Sequence, residues 1–402
     1  MATGANQRTG SNERGPTARR PWPAGLAARW PLRAGLGLAL AVLGAGLVLS
    51  PPITAGLAGR LGPLAFGTHL VLGGSFSLAA GLLGRWHGPV TGLAELAATT
   101  SGPTLSRAVT TLYLGGFIGG QAAIALTAGR LIGFVCLRAG QSPAADLIAA
   151  GVSAGIVTIA AGVNMVGRRV PDTARRWRVL VAFVLGLALC TDPSLLLASQ
   201  MWPAAHAAAF WVAVFLLLFA GVGWETSAAL AGSVRSAMSM AAAVTTGWAI
   251  VSACYLLLAL VADAAGGRNA PVWPADASRL LALLSAGLLA SFCVTNVEAA
   301  AGFVLKLAPG RLSQPSSAVA VGTAVILLLA CALGARWYSY ELLAIPSTAT
   351  LLIYLTTVCS GMRPQNRRLG DRRLSCRAVV ALGVPLGLLV FTAAAALWQI
   401  AG

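Results

Sequence analysis

Charged residues are scarce in this 402-residue chain, and their scarcity already excludes many classes of protein. Asp, Glu, Lys and Arg together make up 10% of the sequence, whereas an average soluble domain has about 25%. Hydrophobic residues make up 57%, and the mean hydropathy is +0.80. A soluble fold is therefore excluded. A helix needs about 20 apolar residues to cross about 30 Å of hydrocarbon, and many segments of the chain meet that requirement.

The residues that usually perform catalysis or bind metals are also few and scattered. The seven cysteines form no CxxC pair, the three histidines (69, 87 and 206) are isolated, and acidic residues never pair closely. We therefore expect no disulfide framework, no metal site and no cofactor. A membrane-embedded transferase is an alternative function, but it would need clustered Asp, His or Lys for acid-base or metal chemistry. The sequence favours a protein that is not an enzyme.

Positive charge is present, but its distribution does not indicate nucleic-acid binding. The net charge is +17, and the arginines lie in short runs between apolar segments rather than as a stripe on one folded surface. The expected partner is the lipid bilayer. Residues 1–33 are rich in Arg, Pro, Gly, Thr and Asn and too polar to bury a core. We expect them to form a disordered, basic cytoplasmic tail, followed by a transmembrane domain over 34–402.

Long apolar runs bounded by Arg, Pro or Gly predict an all-α, polytopic membrane protein with about eleven spans. Basic residues concentrate in alternate loops, so the positive-inside rule places the amino terminus in the cytoplasm and the chain in the cell (inner) membrane. The predicted spans are 34–57, 62–84, 108–137, 144–167, 178–199, 207–232, 241–265, 279–308, 318–335, 338–360 and 377–400.

Two of these spans are interrupted, and they lie five spans apart. Span one carries glycines and two prolines between Gly44 and Pro52, and span six carries Gly221 and Gly223 before Glu225. Matched interruptions in two halves are typical of an inverted-repeat transporter with its binding site at the membrane midplane. The two repeats and the extra helix would be 34–199, 207–360 and 377–400.

A chain break inside the bilayer has a chemical consequence. It frees backbone N–H and C=O groups that hydrocarbon cannot satisfy but a polar ligand can. The amino terminus of a half-helix carries partial positive charge and suits a carboxylate, while freed carbonyls suit an ammonium group. A zwitterionic amino acid matches both. Apolar pocket walls, among which we expect Trp224, favour a neutral, hydrophobic amino acid.

Four segments carry a resemblance to a known family. They are GAGL at 44–47 with Pro51 after it, NMVG at 164–167 before a basic loop, FAGVGWETSAALAGSVR at 219–235, and YELLAIPSTATLLIY at 340–354. Over residues 34–365 the chain resembles the amino acid-polyamine-organocation (APC) superfamily of permeases, especially its branch of small methionine and branched-chain amino-acid exporters. The resemblance implies a LeuT-like fold of five plus five helices and a secondary active transporter, permease or antiporter, that works by alternating access.

The resemblance also implies a binding site. Backbone amides around Ala45, Gly46 and Leu47 would bind the substrate carboxylate, and the carbonyls around Phe219, Ala220 and Val222 of span six would bind its amine. Side chains of spans three, eight and ten would shape the pocket. The expected substrate-binding residues are Gly44, Ala45, Gly46, Leu47, Phe219, Ala220, Gly221, Val222, Gly223 and Trp224.

The chain departs from the family in three places. The acidic residue and proline that often follow span six are absent from 233–237, and many members have twelve spans. Some proton-coupled relatives place a lysine in span five, but 179–191 holds no basic residue, so that coupling is not carried over. Within transport, an exporter of another small amine or drug-like metabolite is the alternative. We expect a monomer or homodimer.

Polar side chains at membrane depth are functional candidates because burying them is costly. Glu225 either carries a proton or accepts N–H bonds that hold the break. Glu298 either carries a proton, sets substrate preference or pairs with Arg130 of span three. Gln121 either faces the pocket or bonds a neighbouring helix, and Asn296 is a further coupling or gating candidate.

One more acidic residue lies near the end of span five. Asp192 directly precedes a proline, and we expect it to be a solvated helix-end residue rather than part of the site.

Overall fold

The computed structural model describes residues 31–88, 90–137, 143–168, 170–192, 209–232, 234, 236–265, 273–335, 337, 339–361, 383, 387 and 389–396. Within these ranges the protein is helical and contains no β-strand. The predicted tail therefore lies outside the described residues, except for 31–33, which begin the first helix.

Seven helices are described before residue 193. They are α1 (Pro31–Val42), α2 (Gly46–Ala58), α3 (Gly62–His87), α4 (Leu93–Ser101), α5 (Pro103–Leu137), α6 (Pro143–Met165) and α7 (Asp172–Cys190), and a 3₁₀ turn (Gly59–Leu61) joins α2 to α3.

Seven more are described between residues 209 and 361. They are α8 (Phe210–Leu216), α9 (Thr226–Leu230), α10 (Ala237–Ala265), α11 (Ala275–Leu307), α12 (Gln314–Gly334), α13 (Ser339–Leu342) and α14 (Ala344–Gly361), and a 3₁₀ turn (Leu217–Phe219) follows α8.

Seven stretches of the described chain are long and apolar enough to cross a bilayer, so the protein is a polytopic helical membrane protein. They are α2 with α3, α5, α6, α10, α11, α12, and α13 with α14. Shorter apolar helices occur at Pro31–Val42 and Phe210–Phe219. Each of the first ten predicted spans contains at least one described helix; of the eleventh, residues 383, 387 and 389–396 are described and helical. The short helix α4 was not predicted.

The helix α5 forms the centre of the molecule. Every residue from 119 to 131 is buried, as expected for a helix that is apolar on all sides and surrounded by others. It packs along α11 and against α6 and α14, while α10 packs against α1 and α3.

Glycine allows some of these helices to approach at the level of the backbone. A Cβ built at Gly186 of α7 would lie 2.5 Å from the carbonyl oxygen of Leu47 on α2. Small residues at such crossings are the usual means of packing helices in membranes. No larger side chain fits between α2 and α7 at this point.

Candidate functional site

The first interruption is shorter than the sequence predicts. Helix α1 ends at Val42 and α2 begins at Gly46, so the break consists of residues 43–45. Pro51 and Pro52 lie inside α2 and are buried there. The prediction that the prolines belong to the break was wrong: their fixed φ fits a helix, and a membrane helix tolerates the missing donors where neighbouring helices surround it.

The break leaves three backbone donors open. In the described part of the chain, the amides of Gly44, Ala45 and Gly46 have no hydrogen-bond acceptor, whereas the Leu47 amide donates to the Gly44 carbonyl at 3.1 Å. No side chain of the described residues caps α2. The expected open amides were those of Ala45, Gly46 and Leu47. The observed ones begin one residue earlier, because the Gly44 amide is open and the Leu47 amide is not.

The second interruption lies where the sequence predicts it. The 3₁₀ turn Leu217–Phe219 leads into a turn at residues 220–225, after which α9 begins. The Phe219 carbonyl accepts the Val222 amide at 3.3 Å. No donor to the carbonyls of Ala220 and Val222 is found among the described residues. Of the three carbonyls expected to bind the amine, those of Ala220 and Val222 are therefore open, and that of Phe219 is not.

Side chains fix the geometry of this turn. The Gly223 amide donates to Oε2 of Glu225 at 2.8 Å, and the Tyr354 hydroxyl of α14 lies 2.8 Å from the Gly221 carbonyl. Gly223 has φ +127°, a value that side-chain-bearing residues rarely adopt. The Tyr113 hydroxyl of α5 also faces the Glu225 carboxyl. The turn is held from within and from two neighbouring helices.

A cavity of about 280 Å³ lies between the two breaks. Both breaks contribute to its wall, and the expected binding residues on it are Gly44, Ala45, Gly46, Phe219, Ala220 and Val222. The open amides and the open carbonyls therefore belong to residues of one cavity.

Three of the helices that line the cavity are those that the sequence predicts. Tyr113 and Phe117 come from α5, Phe292 and Asn296 from α11, and Thr350 from α14. These correspond to predicted spans three, eight and ten. Most of the surface that these three helices contribute is apolar or aromatic.

Glycine on α5 lets the second break approach the cavity. A Cβ built at Gly120 would lie 3.1 Å from the ring of Phe219, and one built at Gly116 would lie 3.1 Å from Cβ of Ala349. Larger residues at these positions would narrow the cavity.

Several expected residues lie outside the cavity wall. Trp224 is fully buried, and its ring packs against Gly73 of α3, so it is not one of the apolar walls. Leu47 is fully buried. Gly221, Gly223 and Glu225 hold the turn but do not line the cavity.

The intramembrane charges pair differently from the prediction. Glu298 forms an ion pair with Arg175 of α7, with 2.9 Å between Nη2 and Oε2. Arg130 donates to the Trp337 carbonyl at 3.1 Å and lies 3.4 Å from the Ser339 hydroxyl. The predicted Arg130–Glu298 pair was wrong, because the two residues face different neighbours.

Two other polar residues are buried. Gln121 is 1% exposed and does not line the cavity; its side-chain amide faces the thiol of Cys293 on the neighbouring helix α11. Asp192 is also 1% exposed and accepts a hydrogen bond from Ser278 at the start of α11. The expectation that Asp192 is solvated was wrong, since α11 covers it.

Sequence reasoning missed three residues near the breaks. Arg175 and Arg178 both line the cavity; their spacing of three residues, which puts both on one helix face, was a usable signal. His69 of α3 is buried, and its ring carbon Cε1 would lie 2.9 Å from a Cβ built at Gly221. Neither of its nitrogens has a partner in the described residues. An isolated histidine in an apolar run gives no such signal.

Comparison with known proteins finds no matching family model and no matching curated sequence.

Proposed function

We propose that the protein is a secondary active transporter of amino acids. The observation that carries the proposal is one cavity whose wall includes both the residues with open amides at the first break and the residues with open carbonyls at the second. A carboxylate satisfies the former and an ammonium group the latter. The α-carbon of an amino acid is bonded to both groups, so one small molecule reaches both breaks.

A membrane position for this site suits transport. The breaks occur in spans one and six, and the cavity between them is bounded by spans three, eight and ten. Alternating access around a fixed midplane site needs both halves of the fold to contact the same ligand. Here each half contributes one break.

Helix packing supports two repeats of the LeuT-like type. We match α1–α2 with α8–α9, α3 with α10, α5 with α11, α6 with α12, and α7 with α13–α14. In this scheme the contacts of one repeat recur in the other. The helix α3 packs on α8 and α9, and its counterpart α10 packs on α1 and α2. Likewise α5 packs on α6, and α11 packs on α12. Exchanging the two repeats turns each of the pairs α3–α10, α5–α11 and α6–α12 into itself. The two helices of each of these pairs are in contact.

The proposal includes eleven crossings, an amino terminus in the cytoplasm and membership of the APC superfamily. These rest on the alternation of basic loops and on the four motifs.

Proton coupling belongs to the same proposal. Tyr113 lines the cavity and faces Glu225, which places a carboxyl one side chain away from the ligand.

Counterflow in proteoliposomes tests the function. The purified protein is first screened for thermal stabilisation by each standard L-amino acid in detergent, and stabilising compounds are then loaded into vesicles and exchanged against label. We expect at least one amino acid to stabilise the protein and to exchange. If no amino acid does either, the proposal is wrong.

Two neighbouring glycines provide matched variants. Gly116→Leu places a side chain at the cavity wall, whereas a Cβ at Gly115 meets no atom of the described residues within 4 Å. We expect exchange to be lost in Gly116→Leu and kept in Gly115→Leu. Equal activity of the two variants would show that the cavity is not the transport site.

A further inference from the structure

The cavity has a cationic wall that the apolar composition of the spans does not predict. Arg175 and Arg178 of α7 both line it, and no acidic side chain of the described chain does. A positive charge beside a low-dielectric cavity attracts an anion more strongly than it would in water.

The two guanidinium groups are not equivalent. The charge of Arg175 is met by Glu298 at 2.9 Å. Arg178 instead donates to the carbonyl of Ser291 at 2.8 Å and lies 4.1 Å from the centre of the Phe292 ring. It forms no ion pair with any described carboxylate, and its Nε is buried without an acceptor. One net positive charge with unused donors therefore faces the cavity.

This charge lies close to the first break. The ring of Phe292 has Arg178 against it and also reaches Gly44, since a Cβ built at Gly44 would lie 3.8 Å from Cε1 of that ring. A ligand whose carboxylate binds the amides of the break would extend past Phe292 toward Arg178. An anionic group at its far end would satisfy the guanidinium, which binds carboxylates in a forked geometry.

We propose that the substrate carries a second anionic group, bound by Arg178, in addition to its α-amino and α-carboxylate groups. The substrate class is then acidic amino acids and their close analogues, rather than the neutral, hydrophobic ones that the apolar walls favour. This inference rests on the proposed function, because it assigns the α-carboxylate and the amine to the two breaks.

Matched substrate pairs test the inference. Labelled L-glutamate and L-glutamine, and L-aspartate and L-asparagine, have nearly the same shape within each pair and differ in charge. Binding and counterflow are measured for each compound with the wild-type protein and with Arg178→Gln, Arg178→Lys and Arg176→Gln. Arg176 is exposed and does not line the cavity, so its variant is the control for loss of a charge on α7.

We expect the wild-type protein to prefer one acidic compound to its amide by at least about tenfold, which corresponds to about 1.4 kcal/mol. The preference should disappear in Arg178→Gln, survive in part in Arg178→Lys and remain in Arg176→Gln. Cysteate, which has a sulfonate in place of the side-chain carboxylate, shows whether any anion suffices.

The possible failures are distinguishable. If the amides bind as well as the acids, or if Arg178→Gln keeps the preference, the inference is overturned while amino-acid transport stands. If no amino acid binds at all, the proposed function fails with it. Thermal melting of each variant in detergent identifies one that has lost its fold, and Arg178→Lys then replaces Arg178→Gln as the decisive variant, with a weakened preference expected and an unchanged one contradicting the inference.

Discussion

The hydroxyl of Tyr354 lies between two acceptors of the second break, 2.8 Å from the carbonyl oxygen of Gly221 and 3.2 Å from Oε2 of Glu225. One hydroxyl has one proton. Either the two acceptors share it, or a protonated Glu225 donates to the tyrosine oxygen while the tyrosine donates to Gly221. The ring of Tyr354 also stacks on Phe76 with centroids 3.5 Å apart. This residue therefore joins α3, α14 and the break.

Replacing Tyr354 by phenylalanine should loosen the break without disturbing the stack. The Gly221 carbonyl would lose its side-chain donor, and a lost hydrogen bond of this kind costs about 1 kcal/mol. We expect a lower melting temperature in detergent for Tyr354→Phe. Tyr113→Phe is the comparison, because Tyr113 faces Glu225 but has no hydrogen bond to Gly221. An unchanged melting temperature for Tyr354→Phe would mean that this hydroxyl does not hold the turn.

Glutamine substitution separates the proton-carrying and structural roles of Glu225. The amide oxygen of glutamine still accepts the Gly223 N–H, so the turn should persist, but the side chain no longer binds a proton. We expect Glu225→Gln to keep substrate binding and to lose substrate-driven pH change in proteoliposomes. Glu298→Gln is measured alongside it. If both variants move protons as the wild-type protein does, neither carboxyl is the coupling group.

The approach of the two breaks predicts a sharp difference between two glycines of the first span. A Cβ built at Gly46 would lie 2.6 Å from the Tyr255 hydroxyl and 3.0 Å from Cβ of Ala220, whereas one built at Gly37 meets nothing within 4 Å. Overpacking of this kind costs about 1–3 kcal/mol. We expect Gly46→Ala to lower the melting temperature and reduce transport.

Gly37→Ala is the control for that variant and should behave like the wild-type protein. If Gly46→Ala is as stable and as active as Gly37→Ala, then the breaks are not in contact as described.

The ion pair between Arg175 and Glu298 joins α7 to α11 beside the cavity. Its two side chains are 40% and 13% exposed, so solvent screens part of the attraction, and a coupling energy of about 1 kcal/mol is expected. A double-mutant cycle with Arg175→Ala and Glu298→Ala, followed by thermal unfolding, measures it. Strict additivity of the two substitutions would show that the pair contributes nothing to stability.

The second break illustrates how far the sequence predicts the site. Gly221 and Gly223 before Glu225 mark a place where a membrane helix is weakest, and the turn occurs there because Gly223 adopts a φ that favours glycine. The first break was predicted less well. Glycine and proline both suggest an interruption, but the prolines continue α2 while the helix opens at Gly44. Residue type alone does not separate these two outcomes.

The orientation of side chains around each helix axis was harder to predict. Trp224 packs on α3 because Gly73 leaves room for its ring, and Glu298 pairs with α7 rather than α5. Both outcomes depend on which neighbour a helix face meets. Nearly every face in these spans is apolar, so the hydrophobic period that orients a soluble helix carries little information here.

The close contact at Gly186 has a mechanical consequence. Because no side chain separates α7 from the Leu47 carbonyl at Gly186, a tilt of α2 would move α7 with it. The same α7 carries Arg178. A ligand that shifts the first break would therefore also reposition the Arg178 guanidinium on the cavity wall, so that binding of the carboxylate at the break and binding of the second anionic group change together.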